Sequence, residues 1–238
     1  MATFVLVHGA WHGGWCWAAT EAALAKRGHR SFALTLAGLG EKSHLLHRDI
    51  TPDNHVDDVV NFLKWRDLTE VVLVGHSYGG LVITGVASKV PEAITSMIYL
   101  DALVPKASGD SIFANSDPVR FAGFQKQIET GAAGLEPDLF DAWTDDEATK
   151  AWLKSKCTPQ PVGTFLEGVT LTGREAEVAR KLYILATGNK PSMFWEVADR
   201  VRGQPGWVSA EIAAKHDAMV DAPEKLAEIF DTFEQGER

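Results

Sequence analysis

The stretch Val71-Val72-Leu73-Val74-Gly75-His76-Ser77-Tyr78-Gly79-Gly80-Leu81-Val82-Ile83 leaves this chain few folds to choose from. Four apolar, mostly β-branched residues predict a strand buried on both faces, as in a parallel sheet. A Gly-x-Ser-x-Gly turn follows at 75–79, and Leu81, Val82, Ile83, Val86 and Ala87 suit a buried helix. Strand, tight turn and helix together are the setting in which this pattern becomes a nucleophile elbow. Ser77 must sit on a sharp turn so that its hydroxyl projects clear of the backbone. Gly75 and Gly79 leave room where neighbouring chain passes. The helix that follows aims its N-terminus at the serine, which favours negative charge developing there.

On either side, short apolar runs alternate with helical patterns. Residues 4–7 read as a strand that enters the glycine-rich loop His8-Gly9-Ala10-Trp11-His12-Gly13-Gly14. Residues 15–27 read as a helix stopped by Gly28, 31–36 as a strand, and 41–50 as a polar, histidine-rich loop. Thr51 caps a further helix with Pro52 at its first position and Val56, Val59, Val60 and Leu63 as its buried stripe. A strand at 94–100 carries Asp101 at its C-terminal end. This alternation predicts an α/β architecture with a mostly parallel, doubly wound sheet.

From 105 to 177 the strand pattern stops. Helices are expected there at 117–129 and 144–155, with Phe113, Phe121, Phe124, Phe140, Trp143, Trp152 and Phe165 as apolar anchors. The sheet resumes at 182–186 and 207–212, and a helix at 222–233 finishes the chain. The expected organisation is a core of 1–104 and 178–238, with 105–177 inserted as a helical cap over the site. A chain of 238 residues suits one such domain, and a net charge of −9 offers no footprint for nucleic acid or an anionic membrane. Cys16 and Cys157 lie far apart in sequence and suit reduced thiols. The first strand begins too early to leave room for a leader, and no apolar run approaches a membrane span. A cytoplasmic protein without membrane association is expected, and a homodimer is its possible assembly.

A serine hydroxyl is a weak nucleophile until a base takes its proton and an acid orients that base. His216 is the one histidine after Ser77, and it falls between the last strand and the final helix, where a base belongs. The usual loop for the acid, 186–191, has no carboxylate. Asn189 in that loop could hold an imidazole but not stabilise an imidazolium. Asp101 is the favoured acid, since a neighbouring strand end can reach the same ring. Asp199 falls inside an expected helix, and the Asp217 side chain is expected to point away from His216. Two backbone N–H groups should form the oxyanion hole: that of Tyr78, after the serine, and that of Ala10, in the loop after the first strand. Gly9 and Trp11 are candidate pocket residues, with Tyr78 beside them. Trp15 and Trp17 are expected to pack the first helix on the sheet, and His8 and His76 to make hydrogen bonds beneath the elbow. His44, His47 and His55 show no metal-ligand spacing, so neither metal nor cofactor is expected.

The runs Phe4-Val-Leu-Val-His-Gly-Ala-Trp-His-Gly-Gly-Trp15, Gly75-His-Ser-Tyr-Gly-Gly80, Tyr99-Leu-Asp-Ala-Leu-Val-Pro105 and His216-Asp-Ala-Met219 resemble the α/β-hydrolase superfamily. More narrowly, they resemble its branch of small esterases that includes plant methylesterases and hydroxynitrile lyases. The resemblance spans almost the whole chain and is weakest at 105–177. It implies Ser77 as nucleophile, His216 as base, and Ala10 and Tyr78 as oxyanion donors. It departs at Asn189, where many relatives keep the acid, and bacterial relatives with the Tyr-Leu-Asp-Ala pattern point to Asp101 instead. Lyases of the branch have threonine where Gly9 stands and lysine where Asp217 stands. An acidic residue there removes the positive partner for departing cyanide. The expected activity is therefore a serine esterase acting through an acyl-enzyme on a small ester, such as a methyl ester or an aryl methyl carbamate. A carbon–carbon lyase and a small-molecule receptor are the alternatives.

Overall fold

The computed structural model describes residues 1–113, 118–189 and 192–236, the side chains of 118–121 excepted. Six strands form one sheet: β1 (Thr3–Val7), β2 (Arg30–Leu34), β3 (Val71–His76), β4 (Ile94–Leu100), β7 (Arg180–Ala186) and β8 (Trp207–Ile212), with β5 (Gly134–Leu135) and β6 (Gln160–Pro161) lying outside it. Their order across the sheet is β2-β1-β3-β4-β7-β8, and every pairing is parallel. Parallel neighbours need crossovers, and the helices supply them on both faces. Those between strands include α1 (Ala18–Lys26), α2 (Pro52–Trp65), α3 (Gly79–Lys89) and α8 (Met193–Val201), and the one-turn α9 (Ala218–Asp221) and α10 (Pro223–Gln235) follow the last strand.

The period of two along each strand divides the core. Phe4 and Leu6 of β1, Val72 and Val74 of β3 and Ile98 and Leu100 of β4 pack on one face with Leu24, Leu226 and Phe230. Val5, Val7, Leu73 and Tyr99 turn to the other face, with Val56, Val59, Ile83 and Val86. Both faces are covered, so β3 is buried along its whole length, as its unbroken apolar sequence requires. Thr51 and Asn54 form a capping box at the start of α2, with Pro52 inside the first turn.

Between β4 and β7 run α4 (Pro118–Glu129), α5 (Phe140–Trp143), α6 (Glu147–Lys156) and α7 (Gly163–Leu166). A two-residue antiparallel pair, β5 (Gly134–Leu135) with β6 (Gln160–Pro161), lies among them. The sequence pattern gave no strand here, because two residues carry no periodicity. Of the expected helices, 144–155 begins only at Glu147, and Asp117 of 117–129 lies outside the described residues. Phe124, Trp143 and Phe165 are buried, whereas Phe113 and Trp152 are each 37% exposed. Trp152 still meets Trp15 edge-on at 5.0 Å, and the side chain of Phe121 lies outside the described residues. The expected helix at 15–27 splits into a 3-10 turn, Gly14–Trp17, followed by α1.

Candidate active site

Ser77 follows β3 directly and holds φ at +53°, left-handed space that a non-glycine residue rarely adopts. Glycine flanks make the turn possible: a Cβ on Gly75 would lie 2.5 Å from the Gly79 carbonyl oxygen, and one on Gly79 would lie 2.8 Å from those of Val7 and His8. The Ser77 amide donates to Leu100 O at 3.1 Å, anchoring the turn to β4. α3 starts two residues on, so its N-terminal turn lies next to the serine.

Asp101 follows β4 directly and is also held at positive φ (+40°). Its Oδ1 accepts the Ala186 amide at 3.2 Å, which points the carboxylate across the end of β7 toward the loop after β8. There Oδ2 accepts Nδ1–H of His216 at 2.6 Å, in a pair nearly shielded from solvent. This bond uses Nδ1 as the donor and leaves Nε2 as the basic atom. Phe194 stacks on the imidazole with centroids 4.7 Å apart. The structure records no hydrogen bond between the Ser77 hydroxyl and His216, although both line one cavity. Asn189 turns elsewhere: its amide donates to the Ala142 carbonyl and its own carbonyl accepts Trp195 Nε1. Asp199 is on the surface beside Arg202.

The loop after β1 is fixed peptide by peptide. His8 donates from Nδ1 to the Gly9 carbonyl at 2.7 Å and accepts the Leu36 amide at Nε2, so the peptide that bears the Ala10 N–H cannot rotate freely. The next peptide is held at both ends, its carbonyl (Ala10) by His12 Nδ1–H and its amide (Trp11) by Gln160 Oε1. Ala10 and Tyr78 both line the cavity, and among the described residues neither backbone N–H has an acceptor. Tyr78 is further fixed through its phenol. His55 donates from Nε2 to the Ala37 carbonyl, so its Nδ1 accepts the Tyr78 hydroxyl at 2.9 Å. Burial lowers the His55 pKa to about 4, which keeps that acceptor neutral.

The cavity holds about 190 Å³. Its walls are largely aromatic, with Trp11, Phe124, Trp143, Phe165 and Phe194, and Ser77, Asn189, Ser192 and His216 as polar groups. Gly9 is not among the lining residues. It lies behind the serine, where a Cβ would come 2.8 Å from His76 Nδ1 and 3.0 Å from Ser77 Cβ. Trp11 does line the cavity, while Trp17 is buried in the core and Trp15 stacks on His12. His55, Ser192 and Phe194 escaped the sequence reading. Only His55 left a signal, standing beside Val56 on the buried side of an amphipathic helix. Among the described residues no group of three or more His, Cys, Asp or Glu could hold a metal ion. No helix among them is long and apolar enough to cross a membrane.

A model of the alpha/beta hydrolase family matches residues 4–229. The chain is 41% identical over 240 residues to the carbendazim hydrolyzing esterase of Nocardioides sp. (strain SG-4G), covering 96% of this chain and 98% of that protein. It is 34% identical over 245 residues to salicylic acid-binding protein 2 of Nicotiana tabacum, covering 94% and 93%. An extracellular alpha/beta-hydrolase from a Paenibacillus species shares the fold with a TM-score of 0.84, at 22% identity and 98% coverage of each chain.

Proposed function

The chain belongs to the alpha/beta hydrolase family and is an ester hydrolase, and on that premise we propose that it cleaves a small ester through a Ser77–His216–Asp101 triad. The observation that carries this reading is the 2.6 Å bond from His216 Nδ1 to Asp101, which leaves Nε2 as the base at a cavity shared with Ser77. In the proposed reaction His216 Nε2 takes the Ser77 proton as Oγ attacks the ester carbonyl. The oxyanion that forms meets the N–H groups of Ala10 and Tyr78. Collapse breaks the bond to the alcohol, which leaves with the proton from His216. Water, deprotonated in turn by His216, then attacks the acyl-enzyme, and Ser77 recovers its proton as the acid is released. Asp101 stabilises the imidazolium through Nδ1–H.

The substrate we infer is a methyl ester or an aryl methyl carbamate. A cavity of about 190 Å³ with walls from Trp11, Phe124, Trp143 and Phe165 suits a flat acyl group and a small alcohol. The Nocardioides relative acts on carbendazim by its name, which supports the carbamate form. We also propose that 105–177 acts as the lid of this site, since Ile112, Phe124, Leu139, Ala142, Trp143 and Phe165 belong to it and line the cavity. The two unbridged thiols, Cys16 and Cys157, agree with a reducing compartment such as the cytoplasm. The lyase reading gains no support: Asp217 is withdrawn from the cavity and bonded to His12.

The test is a burst and steady-state assay on p-nitrophenyl acetate with wild type, Ser77→Ala, Asp101→Asn and Asn189→Asp. Ser77→Ala should show neither burst nor turnover, and Asp101→Asn should lose about 10⁴ in kcat. Asn189→Asp should not exceed wild type, since Asp101 already holds His216 Nδ1 and a carboxylate at 189 cannot make the donation to the Ala142 carbonyl. An Asp101→Asn enzyme of wild-type rate would displace Asp101 as the acid. Tight binding of small aromatic acids without turnover would favour a receptor, and release of an aldehyde a lyase.

A further inference from the structure

We infer that the buried His12–Asp217 pair is a positioning device that holds the Ala10 side of the oxyanion hole in register with His216. The inference rests on the triad and oxyanion reading above. Neither residue lines the cavity, and both are sealed from solvent. His12 donates from Nδ1 to the Ala10 carbonyl at 2.7 Å and from Nε2 to Asp217 Oδ2 at 3.0 Å. A ring that donates from both nitrogens is an imidazolium. Burial opposes that charge, yet the Asp217 carboxylate and its hydrogen bond raise the net affinity for the proton above the usual value.

Asp217 is the residue after His216, so the pair joins the loop of Ala10 to the loop of the base. Two further contacts brace the same point. The Asp217 amide donates to the Trp143 carbonyl at 3.1 Å. His76, whose Nε2 stands 3.9 Å from Asp217 Oδ1, donates from that atom to the His216 carbonyl at 3.0 Å. Burial keeps His76 neutral, so it serves as a donor to backbone and not as a second cation. One buried charge pair with its histidine neighbour therefore fixes the carbonyls of Ala10, His216 and Trp143. Those three belong to the oxyanion loop, the base loop and the segment over the cavity.

Stability is a weak reason for such a pair, since an apolar replacement of like volume is often as stable. Geometry is a stronger one. An amide displaced by about 1 Å from a developing oxyanion costs up to about a hundredfold in rate.

The experiment compares wild type, Asp217→Asn and the His12→Gln/Asp217→Asn double variant on p-nitrophenyl acetate. Active sites are counted by fluorophosphonate labelling of Ser77, kcat and KM are resolved separately, and the thermal midpoint is followed. Per labelled site, both variants should lose about tenfold to a hundredfold in kcat with KM within about twofold. The double variant, which leaves no buried charge unpaired, should melt close to wild type. A double variant of wild-type kcat overturns the inference, and so do variants whose lost activity is matched by lost labelled sites or failure to fold. A wild type that neither labels nor turns over instead overturns the serine-esterase reading beneath it.

Discussion

A Cβ on Gly9 would press on the ring of His76 and on the Cβ of Ser77 at once, at 2.8 and 3.0 Å. Neither neighbour is a free surface side chain. His76 is buried and bonded to the His216 backbone, and Ser77 is pinned to β4 in left-handed space. Gly9→Ala should therefore fold but carry a misplaced nucleophile. The expected result is a fall in kcat of about tenfold or more with KM little changed, measured on a chromogenic acetate. That Ser77 and His216 would line one cavity was legible in the sequence, because one sits in a motif with its flanks and the other is the single histidine downstream. Asp101 was legible only through its place at a strand end. The partners of His12 and His55 were not, since which buried polar groups meet is decided by packing between distant segments. Asp217 shows both sides of this: its turn away from His216 follows from adjacency, but its bond to His12 lies 205 positions back in the chain.

α3 is buried from Gly79 through Ser88, and that burial depends on one missing side chain. At Gly85 a Cβ would meet Val169 Cγ2 at 2.4 Å and Val56 Cγ2 at 2.5 Å, so α2 and the chain before β7 both close on the helix there. Both opposing groups are stiff β-branched side chains in the core, and overpacking forces them off their rotamers. Gly85→Ala should destabilise the protein by about 1–3 kcal/mol despite the better helix propensity of alanine, as read from denaturant unfolding. All six strands of the main sheet were readable from apolar runs, β4 and β8 with the bounds found and the others with an end displaced by one or two residues. β2 is an instance, expected at 31–36 and found at Arg30–Leu34. What escaped were short elements: the β5–β6 pair, the single-turn helices α5, α7 and α9, and the 3-10 turns at Gly14–Trp17, Gly40–Leu45, Pro91–Ala93 and Arg174–Glu177. Their existence depends on partners such as Trp11, whose indole donates to Leu135 O at 2.7 Å.

Across the molecule, three imidazoles are held neutral by burial. Desolvation lowers the pKa of His8 to about 3 and of His55 to about 4, and takes His76 well below its usual value. In the unfolded chain each binds a proton near pH 6.5. Below that pH the unfolded state holds more protons than the folded one, so stability falls from about pH 6.5 down through about 4 for His55 and about 3 for His8. His12 works the other way: its raised pKa adds stability that is full below about 6.5 and fades as pH rises through the folded value. Since His12 adds no slope below about pH 6.5, the thermal midpoint should decline steadily between pH 6.5 and about 4.5, and a flat profile would contradict these neutral histidines. The same long-range closure affects how the molecule can be recombined. Trp11 gives its amide to Gln160, its carbonyl to the Thr158 amide and its indole to Leu135, so one loop residue of the core is stitched three times into 105–177. That segment is no interchangeable cassette. A chimaera that imports a relative's 105–177 without a matching acceptor at position 160 releases the amide of residue 11, and with it the peptide next to Ala10. In this scaffold, selectivity and rate are inherited together.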